Sequence, residues 1–469
     1  NYVLNSNNHY FHFALHMLDE NAAQQFAKEP DSFQKATVQH YFDFLRIPFS
    51  CAPKHDSVLV LGGGSGNDVS YALRHGASHV TVVEIDPVIS TLGKTAHPDK
   101  PYTDPRVTLH TDDARNYLRY SKEKFDLIEF AYLDPGATLS TASFVRVDNF
   151  VYTVESVKSA LEHLDENGLL SISFATGPKH PVTRRLYQTI TTAQGFPPIA
   201  YTDEKWDSVI FLAGPGASHM SIPPSELRGL EPWPKKGDET LSRASTDDWP
   251  FLYLEYDASG LILYVGVLIV AIIMPALLLT RADKGDITGS AWGNMFFLGQ
   301  AFMLVETKSI AQMSLFYGAT WLVSSVVITC VLLLAFIANW IAGKIKTTNL
   351  TPFYLMLGAS LIFGYFFNIP SNTDMSPLML SAIATFVSCI PILFGGLIFS
   401  LCFRSASAPP LYLSANLLGV AIGGLTENLS LGVGIKALTV IAMILYGLSY
   451  FALQFKRPKK ADNDVAAAG

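Results

Sequence analysis

Gly62, Gly63, Gly64 and Gly66, with Ser65 and Asn67 among them, are followed about twenty residues later by Glu84, Ile85 and Asp86. Such glycines let a backbone turn tightly and approach a ligand with no side chain in the way. An acid at that distance is placed to accept hydrogen bonds from the hydroxyl pair of a ribose. The chemistry implied is nucleoside recognition, with Glu84 as the ribose contact. Asp86 precedes Pro87, so capping the next helix is a second use for it.

The elements that must hold these residues follow from hydrophobic pattern. Val58 to Leu61 is a continuous apolar run, as expected of a parallel strand buried on both faces. A helix from about Asn67 to His75 turns its N-terminal N–H groups towards whatever lies over the glycine turn, and Val80 to Val83 is the next strand. Further strands are expected at 106–110, 125–130 and 169–174, with helices at 150–164 and 184–194 and a closing hairpin at 199–202 and 208–212. Strands alternating with helices imply a mostly parallel, Rossmann-like α/β sheet covered on both faces, here with an antiparallel last strand.

GGGSG, VVEIDP, DDAR, FDLIEFAYLDP and NFVYTVES, in this order and spacing, resemble the spermidine synthase family within the class I methyltransferase-like fold, over roughly residues 55–215. The resemblance implies that Glu84 holds the ribose of S-adenosylmethionine or its decarboxylated form. Gly62, Gly63, Gly64, Ser65, Gly66, Asn67, Ile85 and Asp86 would line that cofactor site. Asp112, Asp113 and Ala114 would border the adenine, and Asp134 would lie at the transfer site. No metal is implied, and no His/Cys cluster has metal-ligand spacing.

Two departures bear on the reaction. The family's turn reads GGGDGG and its later strand YDVIIxDxxDP, whereas this chain has Ser65 and Ala131 at the two acidic positions. Aminopropyl transfer to a protonated amine requires a carboxylate to take the proton first, and Ala131 cannot. A hydroxyl at position 65 tolerates the carboxylate of intact S-adenosylmethionine. These changes favour methyl or related alkyl transfer from the intact cofactor. Asp134 or Glu129 as catalytic base keeps aminopropyl transfer open, and a nucleoside-sensing membrane protein or transporter without turnover is the reading from another class. On the acceptor side the loop 136–149 contains Arg146, suited to bidentate binding of a carboxylate or phosphate, and Tyr152 follows it as a second substrate contact.

The second half is different material. From 258 to 455 there are only 12 charged residues, and apolar stretches near 261–280, 291–316, 319–343, 351–369, 376–402, 408–428 and 435–455 are each long enough to cross a bilayer, which needs about 20 residues. The organisation expected is an N-terminal helical segment at 1–56, the nucleoside-binding domain at 57–215, a linker at 216–257, an α-helical transmembrane domain of about seven helices at 258–455, and a tail at 456–469 that is basic and then disordered. The linker segment TDDWPF, Thr246 to Phe251, resembles that of bacterial membrane proteins carrying a spermidine synthase-like domain, and Trp249 suits a bilayer interface.

Outside the membrane region the chain carries 26 positive and 35 negative residues, which disfavours nucleic acid as a partner. The expected partners are the lipid bilayer and a small or amphiphilic acceptor. The place expected is a bacterial inner membrane with the soluble domain in the cytoplasm, where S-adenosylmethionine is made, although the basic loops and tail on the opposite side argue for the reverse orientation. No cleavable signal is visible, and residue 1 is Asn, so upstream sequence is expected.

Overall fold

The computed structural model describes residues 2–6, 9–17, 32–133, 150–220, 222, 227, 229–235, 242–254, 263–268, 270, 289–318, 321–347, 349–367 and 376–454. The chain divides into two compact units, Asn1–Glu255 with Ser314–Thr320, and Tyr256–Met313 with Trp321–Gly469.

The first unit is built on an eight-stranded sheet. Its strands are β3 (Ser57–Leu61), β4 (His79–Glu84), β5 (Val107–Thr111), β6 (Phe125–Phe130), β7 (Leu164–Phe174), β8 (Ile199–Asp203), β9 (Ser208–Ala213) and β10 (Glu231–Trp233), in the order β10-β8-β9-β7-β6-β3-β4-β5. The five strands β3 to β7 run parallel, and β9, β8 and β10 add antiparallel pairings. The strand order reverses at β3, which pairs with β4 on one side and β6 on the other. In an open α/β sheet that switch point, beyond the carboxyl ends of the strands, is where a ligand crevice forms.

Alternation along β3 feeds both cores. Val58 and Val60 join Val69, Ala72 and Leu73 of helix α2 (Asn67–Arg74) and Phe42, Phe44 and Ile47 of helix α1 (Ser32–Cys51). Leu59 and Leu61 face the opposite core, with Val157 of α5 (Val154–Glu162) and Leu186 of α6 (Pro181–Gln194). Between these helices lie α3 (Pro87–Thr95) and α4 (Ala114–Tyr120).

The N-terminal segment departs from the helical expectation. Tyr2–Ser6 and His9–Ala14 form an antiparallel pair, β1 and β2, while Ser32–Cys51 is helical. Tyr2-Val3-Leu4 and Tyr10-Phe11-His12-Phe13 are aromatic and β-branched residues that favour extended backbone, and the Asn-rich stretch between them is turn chemistry. Trp249 also departs from expectation. It is fully buried, with the guanidinium groups of Arg243 and Arg185 4.3 Å and 4.9 Å from its ring, so it is a core residue of the first unit rather than an interfacial anchor.

The second unit is helical, with α7 (Gly289–Tyr317), α8 (Trp321–Lys344), α9 (Thr351–Phe366), α10 (Pro377–Arg404), α11 (Pro409–Thr426) and α12 (Ala437–Gln454). Among the described residues three helical stretches are long and apolar enough to cross a membrane, Leu322–Lys344, Met379–Arg404 and Ala437–Gln454, and Thr351–Phe366 is apolar but shorter. Small residues bring these helices together. A Cβ on Gly419 would lie 2.0 Å from the Phe296 carbonyl oxygen, and one on Gly423 2.7 Å from that of Gln300. Asn294 Nδ2 bonds the Ser449 hydroxyl at 2.8 Å and the Tyr354 hydroxyl at 2.9 Å, so polar groups also join α7, α9 and α12.

Candidate nucleoside site

The glycine turn leaves β3 at the switch point. Gly62, Gly64 and Gly66 have φ of 75°, 55° and 108°, a region that strains any residue with a Cβ. The Gly62 N–H donates to the Val83 carbonyl at 2.8 Å and the Gly66 N–H to that of Gly63 at 2.9 Å, closing the turn against β4. The space beside these glycines belongs to the protein itself. A Cβ at Gly62 would meet Leu133, one at Gly63 Val82, and one at Gly66 Pro101. The glycines are therefore required by close packing of the turn, not only by access for a ligand.

Glu84 ends β4 beside this turn. Its Oε2 accepts from the Gly64 N–H at 2.7 Å and its Oε1 from the Asp86 N–H at 2.9 Å. Burial raises its carboxyl above the usual range, and these backbone donors oppose that shift. Each carboxylate oxygen retains a second lone pair, so the residue can order the turn and still accept from a ribose hydroxyl. Ile85, next to it, is 43% exposed and offers an apolar surface at the strand ends.

The remaining cofactor candidates have local partners. Asp86 caps α3, with Oδ1 accepting from Val88 N–H at 2.7 Å, so its carboxylate serves the helix. Asp113 caps α4 through the N–H groups of Arg115 and Asn116, while Asp112 accepts from the Asp113 N–H and the Asn116 side chain. Ala114 opens α4 and packs on the sheet core. The Asp112 N–H donates to the Glu84 carbonyl at 3.1 Å, which brings this acidic corner beside Glu84. Asn67 is buried, its amide oxygen accepting from Leu15 N–H and lying 3.0 Å from His97 Nε2. Ser65 is 1% exposed. The structure thus brings the turn, Glu84, Ile85 and Asp112 to Ala114 together.

Tyr152, a substrate contact in the sequence reading, is 1% exposed and packs edge-on to Phe174 with ring centroids 5.2 Å apart. An aromatic ring at the start of the covering helix buries more apolar surface there than it could at a loop. Asp134 and Arg146 lie outside the described residues. Glu129 is deeply buried on β6, and its carboxyl is pushed well above the ordinary range by burial and by the charge of Asp68.

Sequence reasoning missed three residues around the turn. Tyr102 donates its hydroxyl to the Gly64 carbonyl at 2.7 Å. Asp68, one residue into α2, accepts from the Tyr41 hydroxyl at 2.9 Å, and burial pushes its carboxyl up to about 6. An acid on the apolar side of the helix that follows the turn was the available signal. No local pattern marks Tyr41 or Tyr102, which arrive from α1 and from the loop before β5.

Together the switch-point turn, the acid ending β4 and the acidic corner after β5 define a Rossmann-like unit with an acidic site beyond its strand ends. Residues 43–181 match the family model of the spermine/spermidine synthase domain. Polyamine aminopropyltransferase 1 of Streptomyces coelicolor is 32% identical over 125 residues, 24% of this chain and 23% of that protein. The polyamine aminopropyltransferase of Buchnera aphidicola is 33% identical over 127 residues, 26% of this chain and 41% of that one. The chain thus spans less than half the length of these curated relatives. Among solved structures, spermidine synthase from Thermotoga maritima aligns with a TM-score of 0.33 and 18% identity, over 47% of this chain and 72% of that one. Human methyltransferase-like protein 13 in complex with SAH gives 0.31 and 14%, over 40% and 83%.

Proposed function

We propose that the first unit is a transferase that binds S-adenosylmethionine or its decarboxylated form and moves an alkyl group from its sulfonium to an acceptor, in a protein anchored in a bilayer by the second unit. The observation that carries the reading is the buried Glu84 carboxylate, fixed by Gly64 and Asp86 N–H groups beside the turn at the switch point. The bound nucleoside supplies an electrophilic carbon, and the chain supplies position and exclusion of water.

Ser65 and Ala131, in place of two acids, support methyl or related alkyl transfer from the intact cofactor. Aminopropyl transfer is the second reading, supported by the match to the spermine/spermidine synthase domain and by the presence of Asp68 and Glu129 in the same unit. A small or amphiphilic acceptor and a cytoplasmic orientation of the unit belong to the same proposal. Full-length protein in detergent, incubated with either sulfonium nucleoside and a bacterial lipid and metabolite extract, decides between these by mass spectrometry. S-adenosylhomocysteine indicates methyl transfer, and methylthioadenosine indicates transfer of the longer chain. Absence of any nucleoside product from both would end the transferase reading.

A further inference from the structure

The second unit holds a charge that the helices around it do not neutralise. Lys308, on α7, lines a cavity of about 10 Å3 whose wall is built from α7, α9, α10 and α12. That wall contains no acid, and among the described residues the Lys308 side chain makes no ion pair or hydrogen bond. Glu306 lies two residues earlier on α7, and residues two apart on a helix do not share a face. Two of the walls, α10 and α12, include stretches long and apolar enough to cross a membrane. A cation in such a layer is costly unless a counter-charge or a polar cavity receives it.

The other polar groups of the wall are hydroxyls and one carbonyl. Ser360 donates its hydroxyl to the Leu357 carbonyl at 2.7 Å, and Ser388 donates to Gln312 Oε1 at 3.4 Å, so both protons are engaged. Thr439 differs from them. It is 4% exposed, and its Oγ1 has no hydrogen-bond partner among the described residues. Pro391 sits inside α10 and has no N–H, so the Val387 carbonyl four residues before it lacks a helical donor and can accept one N–H of the ammonium. A carbonyl carries no net charge, however, and an ammonium has three N–H groups. What the cavity still offers is therefore donors, from Lys308 and Thr439, together with one positive charge.

We propose that this cavity binds a single small monovalent anion of the halide class, with Lys308 as its counter-charge and the Thr439 hydroxyl as its second donor. Space selects the class. A volume of about 10 Å3 admits one water-sized body, which suits a monatomic ion and excludes a polyatomic group such as phosphate. A water molecule would fit the same room, but it would leave the buried charge of Lys308 uncompensated. All the residues of the site belong to the second unit, so it stands apart from nucleoside binding.

Chlorine NMR and thermal unfolding of the full-length protein in detergent test this, with gluconate replacing chloride at constant ionic strength. The wild type should broaden the chloride line in a saturable way that bromide reverses, and its thermal midpoint should rise saturably with chloride, as mass action requires of a ligand of the folded state. Lys308→Met should abolish both effects. Thr439→Val, which keeps the side-chain shape, should weaken chloride at least threefold, and it serves alone if Lys308→Met does not fold. A wild type with neither saturable effect, a Lys308→Met protein that retains them, or an unchanged affinity in Thr439→Val would overturn the proposal. Displacement of chloride by formate at lower concentration than by bromide would overturn the halide assignment.

Discussion

Replacing Glu84 by Gln tests the ribose assignment with little change of shape. The carboxylate accepts one backbone N–H at each oxygen, 2.7 Å from Gly64 and 2.9 Å from Asp86, and keeps a lone pair on each for a hydroxyl. Gln keeps one oxygen and presents an NH2 group where the other stood. One charge-assisted hydrogen bond to the nucleoside is then lost, worth about 1.5–3 kcal/mol, or roughly ten- to a hundredfold in Kd. The same NH2 group faces a backbone N–H, so the unit also loses about 1–3 kcal/mol of stability. Calorimetric titration with S-adenosylmethionine and with its decarboxylated form measures the first effect, and thermal unfolding the second. A folded Glu84→Gln protein that binds either nucleoside within threefold of the wild type would refute the ribose assignment.

Other outcomes follow from the same geometry. The Asp68 carboxyl is raised to about 6, so protonation favours the folded state; that stability is present below about pH 4 and is lost as pH rises through 6, by up to about 3 kcal/mol, and Asp68→Asn should flatten the dependence of the thermal midpoint on pH. Asp247 accepts from Arg115 Nη2 at 2.8 Å and from the Thr153 hydroxyl at 2.7 Å, so Asp247→Ala should destabilise the first unit by about 2–3 kcal/mol in thermal unfolding by stranding a largely buried guanidinium. Trp249→Ala should cost about 3–5 kcal/mol, because it empties a fully buried site, whereas an interfacial Trp would show little loss in detergent. Gly62→Ala should cost about 1–2 kcal/mol from the positive φ and displace Leu133, weakening nucleoside binding in the same titration.

The parts that sequence revealed are those governed by local pattern. The run Val58 to Leu61 and the run Phe125 to Phe130 are strands because continuous apolar residues between turn signals have few other uses, and Glu84 is found from the glycines by spacing alone. Where one residue type has two local uses, the sequence is ambiguous. Asp86 fits both a ligand contact and a helix cap in sequence, and in the structure it and Asp113 both cap helices. Tyr152 and Trp249 look like surface aromatics because long-range packing decides their burial. The Tyr41–Asp68 hydrogen bond was hidden for the same reason, since its members lie 27 residues apart on two helices. Strand β10 was also missed, being three residues long with a proline at its centre.

Titration of the full-length, detergent-solubilised protein with S-adenosylmethionine, decarboxylated S-adenosylmethionine and methylthioadenosine tests the central claim most directly. The account predicts that at least one sulfonium nucleoside binds at a single site and that methylthioadenosine, which shares its ribose and adenine, displaces it. Failure of all three to bind at millimolar concentration would contradict it.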